Sequence, residues 1–360
     1  MVAALLLVAV SSAAGPANRS RSAADILQRD FFSWYGLWDC AVYAEAKVAQ
    51  PTGNWWNCAN SLEALANEVE YTGNTTYASV FSRTWYSTAA QYPIHKAFDG
   101  IDDIQWWALA WLRVSEVTGD AKFLSRSRAI FDEVLKYWDD SCGGGVWWNR
   151  KRTYKNAITN ELFITLAVSL HKMQGATNSS YLEWAKRGWR WFNASAMITA
   201  DGIVDGLGGA PSCGPTGKKY TYNQGVILSG LALLYEIDGD TAYRDSATRI
   251  ADTALRTFSS GNIFTEVCPI ESLLTDCEQF KGVFVRHLGY LATKLPPGSR
   301  SRYQAWLDLN AASLLANATD AKGAFSREWG GPVGSADGIT HTAGLDLLNA
   351  ALVASNSSRG

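Results

Sequence analysis

Apolar residues along this chain recur at helical spacing, and they do so in pairs of unlike stretches. Before Gly239, residues Val226, Ile227, Leu228, Leu231, Ala232, Leu233 and Leu234 leave almost no polar face, the pattern of a helix covered on all sides. After it, Tyr243, Ala247, Ile250, Ala251, Ala254 and Phe258 fall on one stripe with polar residues opposite, as on a helix with one wet face. The same change of character occurs at Thr72-Gly73-Asn74, Thr118-Gly119-Asp120 and Gln174-Gly175-Ala176. Glycine closes a helix in the left-handed conformation, and an Asp or Asn after it accepts the N–H groups that open the next. Each turn therefore reads as the tip of a helical hairpin.

Extended along the chain, the pattern predicts inner and outer arms at 57–72 and 76–91, 102–118 and 120–138, 158–173 and 178–193, 222–238 and 240–259, and 281–294 and 299–316. A last apolar helix at 341–355 has no outer arm after it, and an N-terminal helix at 22–34 has no inner arm of its own. Pairing these two ends makes six hairpins. The expected fold is all-α, an (α/α)6 toroid or barrel, in one domain over 22–356; an open α-solenoid shares the same periodicity. Parallel inner helices would bring their N-termini to one mouth, where chemistry is to be sought.

Composition narrows the function. The chain has 360 residues, is 47% hydrophobic and 18% charged, and carries a formal net charge of −2, so it has material for a large core and no basic field for nucleic acid. Residues 1–14, with an apolar run from Val2 to Val10 and then Ser12, Ala13 and Ala14, read as a signal peptide, although no Lys or Arg precedes the run. It is too short to span a membrane. Asn-X-Ser/Thr sequons at Asn18, Asn74, Asn178, Asn193, Asn317 and Asn356 fit secretion. Six cysteines without CxxC spacing point to disulfides, with Cys40–Cys58 and Cys268–Cys277 the pairings expected from proximity. A secreted monomer, extracellular or associated with a cell wall, is the expectation.

At the predicted inner-helix N-termini stand Trp55-Trp56-Asn57, Asp102-Asp103, Asn156 to Glu161, Tyr222-Asn223-Gln224, Lys281 to His287 and His341-Thr342. Aromatic faces cover the C–H face of a pyranose, while amides and carboxylates bond its hydroxyls. Such a rim suits a sugar. Within it, Asp102 and Asp103 offer the two carboxylates that glycoside hydrolysis uses. An isolated Asp-Asp pair at a helix start is ordinarily a cap; the ring of sugar-compatible partners changes that reading. The helix N-terminus favours an anion and one ionised carboxylate disfavours a second, so one is expected charged and the other protonated. Gly143-Gly144-Gly145 with Val146-Trp147-Trp148 reads as a tight loop framing the mouth, since no Walker Lys-Ser/Thr follows. His287 and His341 lie in different hairpins without a third ligand pattern, so no metal is expected. No cofactor is expected, and no GxSxG elbow or Cys-His pair suggests covalent Ser or Cys catalysis.

These motifs resemble glycoside hydrolase family 76, the endo-α-1,6-mannanases. The resemblance rests on Gly53-Asn54-Trp55-Trp56-Asn57, Ile101 to Trp111 (IDDIQWWALAW, with Trp107), Gly143 to Asn149, Lys155 to Phe163 (KNAITNELF), Tyr220 to Gln224 (YTYNQ) and Lys281 to Leu288 (KGVFVRHL). It implies an (α/α)6 barrel, an α-mannan substrate and a retaining mechanism, with Asp102 the nucleophile and Asp103 the general acid and base. It places Asn57, Asn160, Asp205, Tyr222, Asn223 and Arg286 near the sugar subsites, and Trp107 and Gln224 stand in the matching motifs. The family also holds fungal wall proteins that transfer mannan-containing glycans and end in a hydrophobic anchor signal. This sequence ends Ser355-Asn356-Ser357-Ser358-Arg359-Gly360, so hydrolysis is the first expectation and transglycosylation the second. A non-catalytic carbohydrate-binding toroid is a third; a lyase acting on uronic acids would want a more cationic cleft than Lys155, Lys281 and Arg286 provide.

Overall fold

The computed structural model describes residues 14–32, 55–89, 94, 99–175, 179–209, 211–266 and 276–356. Among them twelve α-helices follow in order: α1 (Pro16–Ile26), α2 (Trp55–Thr72), α3 (Ala78–Ser87), α4 (Ile101–Thr118), α5 (Ala121–Leu135), α6 (Ala157–Gln174), α7 (Ser179–Ala194), α8 (Thr221–Asp238), α9 (Thr241–Thr257), α10 (Phe280–Thr293), α11 (Pro297–Asn317) and α12 (Gly338–Asn356). The expected leader, apart from Ala14, lies outside the described residues.

Two of the hairpin tips are built as their residues dictate. Gly119 and Gly239 adopt φ of 70° and 71° and donate to Ser115 and Tyr235 carbonyls; Asp120 and Asp240 then accept from Lys122 and Ala242 N–H groups at 3.0 and 2.9 Å. The first helix starts at Pro16, six residues before the expected 22. Proline suits the first helical turn, and the polar run Asn18 to Ser22 hid the helix from an apolar-period reading.

The inner helices close a ring. α2, α4, α6, α8 and α10 each pack against the next inner helix, and α12 packs against α2, which excludes an open solenoid. α1 covers the seam on α12 and α2. There Ser20 bonds Asn349, whose Nδ2 donates to the Ala64 carbonyl at 2.9 Å, and His341 Nε2 meets the Ala23 carbonyl at 2.9 Å. Inner helices approach closely where side chains vanish: a Cβ on Gly225 would lie 2.5 Å from the Phe284 Cα. The fully covered character of α8 is also seen, since Asn223 to Leu234 are all buried, whereas α9 buries one face.

The two ends of the ring differ. Among the described residues α2, α4, α8 and α10 end in tight turns, while the connections that lead into the inner-helix N-termini are longer and carry two-residue strands. β1 (Lys155–Asn156) pairs antiparallel with β4 (Gly206–Leu207), and β4 with β5 (Pro215–Thr216); β2 (Ile198–Thr199) pairs with β3 (Gly202–Ile203). A disulfide joins Cys142 to Cys213, tying the glycine loop before β1 to the β4–β5 loop. Neither expected pairing includes this bond, because proximity in sequence says nothing of loops that meet across the mouth. Cys277 is also disulfide-bonded; Cys40 and Cys268 lie outside the described residues.

Candidate active site

Asp102 and Asp103 occupy the first turn of α4, at the end of the ring where the long connections gather. Ile101 N–H donates to the Trp148 carbonyl at 2.6 Å, Arg150 N–H to the Asp99 carbonyl at 3.0 Å, and Gly100 bridges Asn149. The strand-like pairing fixes the entry to α4 against the loop that follows the glycine run. Both carboxylates are half-buried and fold back toward Gly100: a Cβ there would stand 2.9 Å from Asp102 Oδ1 and 2.9 Å from Asp103 Oδ2. Those two oxygens are therefore no more than about 6 Å apart. Asp102 accepts two N–H groups, its Oδ1 from the Asp103 backbone at 3.0 Å and its Oδ2 from the Trp148 indole at 3.0 Å. Charge-assisted bonds of this kind hold a carboxylate in one orientation and favour its ionised form.

Beside the pair, four inner helices contribute an aromatic cluster. Trp56 and Trp106 rings lie 5.3 Å apart, Trp106 and Tyr222 6.5 Å, and Tyr222 stacks on Phe280 at 3.8 Å. Tyr222 remains half-exposed. Next to it, Asn223 Nδ2 donates to Asp205 Oδ1 at 3.3 Å, and Tyr154 donates to Asp205 Oδ2 at 2.9 Å. Asp205 arrives from the turn between β3 and β4, and its carbonyl takes the Ala157 N–H at the start of α6. Burial pushes its carboxyl up, against the Tyr154 and Asn223 hydrogen bonds. The Asn223 Oδ1 is buried without a hydrogen-bond partner.

Other expected sugar contacts are spent on protein. Asn160 clasps the Val146 backbone, accepting from its N–H at 2.7 Å and donating to its carbonyl at 3.0 Å. Gln224 does the same for Ile203, at 2.7 and 2.9 Å. Asn57 is fully buried and donates to Gln279 at 2.8 Å. Trp107 is buried against Trp55 and Trp111, so Trp106 is the member of the pair that reaches the Tyr222 cluster. Arg286 stands in the middle of α10, bonded to Asp346 at 2.7 and 2.9 Å and to Glu63 at 2.8 Å. The structure does not bring it to the carboxylates. His287 and His341 are buried and hydrogen-bonded, and no group of three metal-ligating side chains occurs among the described residues.

The sequence model of glycosyl hydrolase family 76 matches residues 20–358. The chain belongs to this family. Among curated relatives, a putative mannan endo-1,6-alpha-mannosidase of Schizosaccharomyces pombe is 30% identical over 68% of this chain and 60% of its own length. The mannan endo-1,6-alpha-mannosidase DCW1 of Saccharomyces cerevisiae is 26% identical over 82% of this chain and 66% of its own. The chain thus spans somewhat less than two thirds of these relatives. Among solved structures, the GH76A alpha-1,6-mannanase of Salegentibacter sp. HEL1_6 superposes with a TM-score of 0.83 at 22% identity, covering 94% of this chain and 100% of that one. An inactive variant of that mannanase, with two successive aspartates replaced by alanine, was solved with alpha-1,6-mannotetrose and superposes with a TM-score of 0.82.

In this family 76 chain the residues that sequence reasoning missed are the ones that hold the mouth. Trp148, 39% exposed, is the indole donor to Asp102; the signal available was its place three residues after a glycine run. Lys155 lies almost wholly buried and donates to Asp139 Oδ1 and to the Ser141 and Gly144 carbonyls at 2.9, 2.6 and 2.7 Å. Against the effect of burial, Lys155 and Trp147 hold Asp139 below the usual carboxylate range. The expected rim cation is thus a brace for the loop that presents Trp148.

Proposed function

We propose that this chain is a secreted, endo-acting α-1,6-mannosidase that cleaves mannan with retention of configuration. The observation that carries the reading is the pair Asp102 and Asp103, folded toward one glycine at the mouth of the ring and flanked by the Tyr222 cluster. Family membership and the names of the relatives support the substrate. A separation of no more than about 6 Å between their facing oxygens favours the retaining arrangement, which needs about 5–5.5 Å, over the wider inverting one.

Asp102, anchored by two N–H donors, attacks C1 of the mannosyl unit while Asp103 gives its proton to the departing glycosidic oxygen. The C1–O bond breaks and a glycosyl ester forms. Asp103, now ionised, takes a proton from water; the water oxygen bonds C1 and Asp102 leaves as carboxylate. Tyr222, Asn223 and Asp205 line the sugar subsites beside the pair. Asn57, Asn160 and Gln224 act at one remove by fixing Gln279, the Val146 loop and the Ile203 turn, and Arg286 and Trp107 make no sugar contact.

Linear α-1,6-mannan oligosaccharides test this directly, with product length and anomeric configuration followed by NMR. Shorter products with retained configuration are expected, together with a loss of about 10²-fold or more in kcat for Asp102→Asn and for Asp103→Asn. Full activity in either variant refutes the assignment. Products longer than the substrate would show that a sugar hydroxyl replaces water in the second step.

A further inference from the structure

Tyr154 touches both halves of the mouth and takes no part in the reaction steps above. It stands directly before β1, across a five-residue turn from Trp148, and its carbonyl accepts the Trp148 N–H at 2.7 Å. Asn149 closes that turn, its Oδ1 accepting from the Thr153 N–H at 3.1 Å and its Nδ2 donating to Thr153 Oγ1 at 2.7 Å. The Tyr154 and Trp148 rings meet edge to face, with centroids 6.3 Å apart and planes at 82°, a favoured aromatic geometry. Trp148 is the indole donor to Asp102, so the Tyr154 ring seats the side chain that holds the nucleophile.

The far end of the same side chain reaches the sugar subsites. Tyr154 Oη donates to Asp205 Oδ2 at 2.9 Å, and two glycines make room for the pair: a Cβ on Gly206 would lie 2.5 Å from Tyr154 Oη, and one on Gly217 2.7 Å from Asp205 Cβ. Main-chain bonds deliver both groups to this spot. Lys155 pairs with Leu207 between β1 and β4, the Asp205 N–H donates to the Lys218 carbonyl at 2.8 Å, and the Asp205 carbonyl accepts the Ala157 N–H at 2.7 Å. Among the described residues no Lys or Arg pairs with Asp205, and its side-chain donors are Tyr154 and Asn223. Burial, and next the Asp205 charge, push the Tyr154 hydroxyl above the ordinary tyrosine range, so at neutral pH it keeps its proton and donates. Asp205 is half-exposed, and a carboxylate offers about four acceptor positions, of which these two bonds leave the rest for sugar hydroxyls.

We infer that Tyr154 is a positioning residue for substrate binding, whose hydroxyl holds the Asp205 carboxylate in the orientation that receives the sugar. The inference rests on the function proposed above. Asp205 exchanges no bond with the reacting carbon in that scheme, so a loosened Asp205 weakens binding, whereas the attack depends on Asp102 and its Trp148 donor. Removing the hydroxyl alone, with the ring left against Trp148, therefore separates binding from turnover.

The test is Tyr154→Phe in the full chain, with α-1,6-mannotetraose as substrate. KM should rise about tenfold while kcat stays within about twofold of the parent. In an Asp205→Ala background the same change should leave KM where that background put it, because the hydroxyl then has no carboxylate to hold. Titration of mannotetraose into the Asp102→Asn, Asp103→Asn double variant supplies a reading free of catalysis, and adding Tyr154→Phe to it should raise Kd about tenfold. This binding measurement decides the matter should Asp205→Ala fail to fold. An unchanged KM and Kd in Tyr154→Phe overturns the inference, as does a fall in kcat at constant KM, or a rise in KM of the same size with Asp205 already removed. A parent that cleaves mannan with kinetics indifferent to Tyr154→Phe sinks only this inference. A parent that binds mannotetraose without cleaving it, and binds it more weakly in Tyr154→Phe, sinks only the proposed function.

Discussion

Trp148 donates its indole N–H to Asp102 Oδ2 across 3.0 Å, from a loop whose backbone is clasped by Asn160 and braced by Lys155. Replacing it by phenylalanine keeps an aromatic face and removes only the donor. A hydrogen bond to a charged group is worth about 1.5–3 kcal/mol, so kcat on α-1,6-mannan should fall about 10- to 100-fold in Trp148→Phe, with the far-UV circular dichroism unchanged. An unaltered kcat would show that the bond does not orient the attacking group.

Gly100→Ala should damage chemistry and spare the fold. The atoms nearest the added methyl would be the ends of Asp102 and Asp103, at 2.9 Å each, and both can swing aside without disturbing the core. Displacing reacting groups by about 1 Å costs up to about 10²-fold in rate. Steady-state kinetics and thermal melting measured together check this: a large fall in kcat with nearly constant Tm is the expected pair.

Cutting the Cys142–Cys213 disulfide by a double serine substitution should lower stability by about 2–4 kcal/mol, since the bond closes a loop spanning 71 residues. Because it ties the glycine loop to the β4–β5 connection, activity should fall at temperatures well below the melting of the ring. Denaturant unfolding, alongside activity with and without reductant, provides the measurement; identical curves would contradict the role.

Acid should loosen the seam of the ring. Phe325 N–H donates to His341 Nδ1 at 3.2 Å, so Nε2 carries the proton and donates to the Ala23 carbonyl. Burial lowers this imidazole to about 4 from an ordinary 6.5. The unfolded chain therefore binds a proton that the folded one refuses. The stability at stake is fully present above about pH 6.5 and is lost as pH falls toward 4, at most about 3 kcal/mol for His341. Melting temperatures from pH 7 to 4 should fall less steeply in His341→Asn than in the parent, whatever the difference at pH 7.

The hairpin rhythm was legible because burial imposes it: a helix covered on all sides, such as α8, must lose its polar face, and Gly239-Asp240 must close one helix and open another. The Asp102-Asp103 pair was legible for the same local reason, as a helix-start motif beside two tryptophans. The second ring of the site was not. Asn160, Gln224 and Asn57 are amides at the right height on inner helices, yet each turns toward loop or neighbouring backbone. Which way an amide faces depends on loops that have no periodicity to read. Arg286 misled because a cation within a familiar motif suggests substrate, while its acidic partners, Glu63 and Asp346, come from helices far away in the chain.

The seam between α12 and α2 has a consequence for how the molecule comes into being. Asn349 reaches Ala64 over a separation of 285 residues, and Ser20 over 329. During synthesis the first two helices emerge with their inner faces bare and must wait for the last helix before the ring can shut. Contacts so distant in sequence make assembly slow. A product truncated before Gly338 would expose that apolar seam to chaperones and proteases.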